Sequence, residues 1–139
     1  MPATLKVRDE SMAPGGEDHV FELEFPTESI TVRELIRERV YQEVDDFNRQ
    51  VRAAKPQSRW RGLVRPTELE EQLNGPNKTV RAKKEVDWQT QYDLACDAFE
   101  KNRFFVLVGD RQAGSLDERI EIGRETEVSF LQRVLLVGG

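Results

Sequence analysis

The sequence predicts an α+β fold: a mixed sheet with one long helix across it, and a mainly helical insertion between that first helix and the third strand. Three observations carry this expectation. Apolar and charged residues alternate early in the chain, most clearly in HVFELEFP at residues 19–26, and a period of two places alternate side chains on one side of a sheet. Helical period replaces the alternation over residues 30–51. Strand pattern returns in RFFVLVGDRQ, residues 103–112, and again in TEVSFLQRVLLV, residues 126–137.

The elements follow in order. TLKVRD, residues 4–9, puts Leu5 and Val7 on one face of a half-buried strand. ESMAPGGED, residues 10–18, holds Pro14, Gly15 and Gly16 and reads as a hairpin loop. The second strand turns Phe21, Leu23 and Phe25 inward and Glu22 and Glu24 outward, and Pro26 ends it. Thr31 and Glu34 then have the spacing of a capping box, with Ile30 and Leu35 at the two staple positions. From there Val32, Leu35, Ile36, Val40, Val44, Phe47 and Val51 fall on one stripe of a long helix that Pro56 halts.

The pattern weakens between Gln57 and Val86. PTELEEQLNGP, residues 66–76, reads as a short helix capped by Thr67 and stopped at Gly75. VDWQTQYDLACDAFEKN, residues 86–102, reads as a second helix burying Trp88, Tyr92, Ala95 and Phe99. Beyond it the third strand turns back at Gly109-Asp110, and GSLDERIEIG, residues 114–123, is a short edge strand or a loop. Without the middle segment, the order is strand, hairpin loop, strand, helix, strand, short element and final strand, with the first and last strands adjacent. The expectation is one domain over 1–139, with its core in 4–50 and 103–139, an insertion at 51–102 and a tail at 132–139.

Composition narrows the chemistry. With 37% hydrophobic and 34% charged residues among 139, the core is small relative to the surface. No run approaches the roughly 20 apolar residues of a membrane span, and MPATLKVRDE lacks the apolar stretch of a secretory signal. A single cysteine, Cys96, excludes an internal disulfide, and a single histidine, His19, removes most metal and triad chemistry. Much of the familiar catalytic repertoire is thereby excluded, and the chain is expected to have no metal, no membrane partner and a cytoplasmic home; each functional reading given below also expects no catalytic activity from this chain alone. Cys96 lies among Leu94, Ala95 and Phe99 and reads as a buried small residue rather than a nucleophile. His19, at the start of a strand, reads as a surface residue.

Charge is unevenly spread. Between Arg49 and Lys84 stand ten bases and three acids, a net of +7 that leaves −12 for the rest of a chain whose total is −5. Within this basic segment lies Arg59-Trp60-Arg61. Three readings stand for it: phosphate and base contacts with nucleic acid, docking on an acidic face of a partner enzyme, or folding back on the acidic body of its own domain.

The order of elements and the terminal Gly138-Gly139 resemble the β-grasp fold of ubiquitin-like proteins, over roughly residues 4–50 and 103–139. LVGDRQ, residues 107–112, is similar to the third-strand region of ubiquitin. LDERIEIGRETEVSFL, with the closing VGG, looks more like the sulfur carriers, particularly the small subunit of molybdopterin synthase. The middle of the chain has no counterpart in either branch, and the tail QRVLLVGG lacks ubiquitin's paired arginines.

The resemblance implies that the Gly139 carboxylate is the functional group. An ATP-dependent activating enzyme would adenylate it, so that ATP is that enzyme's substrate and this chain binds no cofactor. As a protein modifier, the chain would then pass through thioesters to a conjugating enzyme and on to target proteins, and a protease would reverse the linkage. As a sulfur carrier, Gly139 would become a thiocarboxylate for molybdopterin or thiamine synthesis or for tRNA thiolation. A third reading, a non-covalent interaction module, makes the glycines incidental. Glycine suits the activated end because a side chain at 138 or 139 would widen the channel that the tail must thread. Val134, Leu135, Leu136 and Val137 would be the extended residues an enzyme grips. Lys55, Lys78, Lys83 and Lys84 are candidate attachment points for further copies. By analogy with ubiquitin's apolar patch, Leu107 and Leu131 would meet partners, with Val106, Val108, Val128 and Phe130 inward.

Overall fold

A computed structural model describes residues 2–10, 18–53, 62–64, 66, 70–71, 80–81 and 85–132. Nine strands and two helices are described: β1 (Ala3–Glu10), β2 (His19–Phe25), β3 (Ser29–Thr31), α1 (Val32–Arg52), β4 (Glu70–Glu71), β5 (Val80–Arg81), α2 (Trp88–Glu100), β6 (Phe104–Val108), β7 (Arg111–Gln112), β8 (Arg119–Glu121) and β9 (Glu127–Gln132). The class is α+β. The chain divides into two compact units, residues 1–36 with 96–139, and residues 37–95.

The first unit holds a mixed five-stranded sheet in the order β2-β1-β9-β6-β7. β1 and β2 pair antiparallel with Ala3 opposite Phe25 and Asp9 opposite His19, as the alternation predicts. β1 pairs parallel with β9, so the first and last strands are neighbours near the sheet centre. One face of the sheet is apolar: Leu5, Val7, Leu23, Val106, Val128 and Phe130 are all buried. Phe99, in the last turn of α2, packs on Phe104 at 5.9 Å between ring centres, and Phe104 on Phe130 at 6.1 Å.

Two turns in this unit depend on a left-handed residue. Gly109 has φ 61° and is the first of two loop residues between Val108 and Arg111, the position where a tight hairpin favours glycine. Asn102 has φ 57° just past α2, where its amide donates to the Phe99 carbonyl at 3.1 Å and that of Arg103 to the Ala98 carbonyl at 2.9 Å. That pair of bonds closes the helix as a Schellman motif.

The start of α1 is built as its sequence predicts. The Glu34 amide donates to Thr31 Oγ1 at 3.1 Å, and the Thr31 amide to Glu34 Oε1 at 3.3 Å. The next two unpaired helix donors are met by backbone: the Val32 amide reaches the Glu118 carbonyl and that of Arg33 the Leu116 carbonyl. β3 pairs antiparallel with β8, centred on Ile30 opposite Ile120, both buried. The 114–123 segment is therefore a short strand, but one paired outside the main sheet.

Residues 37–95 form a unit that begins and ends earlier in the chain than the 51–102 insertion read from the sequence; in it the later turns of α1 associate with the start of α2. Tyr41 meets Trp88 edge to face at 5.7 Å, and the Arg37 guanidinium lies 5.5 Å from the Trp88 ring centre. Val40, Val44 and Phe47 are buried as the stripe predicts, whereas Val51 is half-buried. Of the residues the second helix is expected to bury, Ala95 and Phe99 are buried, but Trp88 and Tyr92 are half-buried. A further expectation is corrected. Within the helix expected at 66–76, Glu70–Glu71 is instead a strand, β4, paired antiparallel with β5, Glu70 opposite Arg81. The intervening sequence carries Asn74, Gly75, Pro76 and Asn77, residue types that favour chain reversal and outweigh the helix propensity of the glutamates.

Polar side chains fasten irregular chain within this unit. The Asn48 side chain donates to the Val86 carbonyl at 2.9 Å and accepts from the Val86 amide at 2.8 Å, acting as a strand neighbour would. Glu43 accepts from Arg39 Nε at 2.6 Å and from the Leu63 amide at 3.3 Å. Gln91 donates to the Val64 carbonyl. Asp87 caps α2, accepting from the Thr90 hydroxyl at 2.7 Å and the Thr90 amide at 3.1 Å. These bonds, the hydroxyl first, hold its carboxyl below the usual aspartate range. Among the described residues, no helix is long and apolar enough to cross a membrane.

Candidate functional site

The sequence singles out two places on the first unit, the tail and the pair Leu107 and Leu131. Of the tail, β9 ends at Gln132, and Val134, Leu135, Leu136, Val137, Gly138 and Gly139 lie outside the described residues. So do Arg59, Trp60 and Arg61, the four candidate attachment lysines, and Gly15 and Gly16.

Leu107 and Leu131 are described. In the β6–β9 ladder Leu107 stands opposite Ser129 and Leu131 opposite Phe105. Residues opposite one another in a ladder share a face, so these four lie together on the side of the sheet away from Val106, Val128 and Phe130. Leu107, Leu131 and Phe105 are each half-buried and Ser129 is buried. Val108, expected inward, is only half-buried, since the β6–β7 turn begins there. Phe105 is the member that sequence reasoning missed. Its signal was its parity with Leu107, two residues along the same strand.

The same face changes character across the sheet. The row through Leu107 and Ser129 continues to Arg8 on β1 and Val20 on β2, and the adjacent row runs Glu127, Lys6, Glu22. Arg8 stands 3.0 Å from Glu127 and 3.6 Å from Asp18. The Nε–H of Arg8 is not aligned for a hydrogen bond to Glu127, so the contact is one of charge alone. The face thus carries Phe105, Leu107 and Leu131 at β6 and the end of β9, and the charged residues Glu127, Lys6, Arg8 and Glu22 toward the start of β9, β1 and β2.

Cys96 is buried in α2. His19 is exposed and stacks on Phe21 at 5.4 Å between ring centres.

Comparison with family models, with curated proteins and with solved structures finds no match to this chain.

Proposed function

We propose that the chain is a ubiquitin-like modifier of the β-grasp type, acting through the carboxylate of Gly139 in the form that ends there. The observation that carries this reading is the strand order β2-β1-β9-β6-β7 with β1 and β9 parallel. It supports a β-grasp because an opening hairpin, a helix and a second hairpin precede a last strand that returns beside the first. The tail sequence then follows directly from a strand paired on both sides.

In the proposed reaction, a Gly139 carboxylate oxygen attacks the α-phosphorus of ATP in an activating enzyme and pyrophosphate departs. A cysteine thiolate of the enzyme displaces AMP to form a thioester. After transfer to a conjugating enzyme, a target amine displaces the thiolate and leaves an amide. This chain contributes only the acyl group and the surfaces that position it; the half-apolar face around Leu107, Phe105 and Leu131 is the proposed docking surface. The test is expression of an amino-terminally tagged chain in its own cells. Slower-migrating tagged species should appear, and deletion of Gly138 and Gly139 should abolish them.

A second reading, a sulfur carrier, draws on the likeness of LDERIEIGRETEVSFL to those proteins. It predicts loss of sulfur transfer on the same deletion, with no tagged adducts in the intact chain. Function that survives the deletion would favour a non-covalent module.

A further inference from the structure

We draw no further inference here: the strongest candidate, the surface cluster of Arg37, Tyr41, Trp88 and Tyr92 on α1 and the start of α2, is an aromatic patch with nothing in the structure to show what covers it.

Discussion

The sheet unit satisfies its buried backbone with backbone, whereas in residues 37–95 the described positions outside α1, α2 and the β4–β5 pair rely on side chains. In the first unit, ladders pair β1 with β2 and β9, and β6 with β9, so the interior can be almost wholly apolar. Of the four buried polar or charged residues among those described, Arg39, Asn48 and Gln91 belong to the second unit and Ser129 alone to the first. Irregular chain leaves N–H and C=O groups with no ladder partner, and each left unpaired in the interior costs about 1–3 kcal/mol. Glu43, Asn48 and Gln91 remove that cost at Leu63, Val86 and Val64. Regular structure lets a core be greasy; irregular structure obliges it to be polar at chosen points.

The comparison breaks first at Phe130. This side chain is 1% exposed and packs on Phe104, so Phe130→Ala should cost about 3–5 kcal/mol, read from urea unfolding. A loss below about 1 kcal/mol would mean that the sheet core relaxes around the gap, against the packing described.

In the second unit the matching lesion is electrostatic. Glu43→Leu removes the carboxylate that pairs with the Arg39 guanidinium, whose side chain is 4% exposed, and that accepts from the Leu63 amide. The expected loss is about 3 kcal/mol. The double variant Arg39→Met with Glu43→Leu should recover most of it, because it removes the buried charge together with its carboxylate. If the double variant is no better than the single one, tethering of Leu63 matters more than the ion pair.

Smaller effects separate local capping from packing. Thr31→Ala removes one half of the reciprocal cap on α1 and should cost about 1 kcal/mol. Amide exchange should speed up mainly in the first turn of that helix. Asp87 gives the smallest effect. Because its carboxyl is depressed in the folded chain, its cap is fully present above the ordinary aspartate value of 3.8 and is lost as pH falls through the folded value. An NMR titration of the carboxyl should show a midpoint below 3.8, and one at or above it would remove the cap from the account.

What was legible in the sequence was what repeats or acts locally. The alternation around Leu23, the stripe from Val32 to Phe47 and the Thr31–Glu34 spacing each declare their partners within a few residues. Asn48, Arg39 and Gln91 do not, since a polar residue on a helix normally points to water. The groups Asn48 and Gln91 satisfy lie at Val86 and Val64, distant in sequence and outside any periodic pattern. The β3–β8 ladder was hidden for a related reason: strands of three residues are too short to show alternation. At the glutamates of β4, local propensity pointed to helix while pairing with β5 decided the backbone. On the candidate face, alternation located Leu107 and Leu131, and the same parity marks Phe105 and Ser129; which of the four stand opposite one another depends on register.

The central claim concerns Gly139, and one measurement addresses it most directly. The chain is recovered from its own cells with whatever is attached, digested with trypsin and analysed by mass spectrometry. Cleavage after Arg133 leaves the remnant Val134–Gly139. A modifier predicts that remnant joined by an amide bond to lysines of other proteins. A remnant found only as the free acid, or with sulfur in place of one carboxylate oxygen, would contradict it.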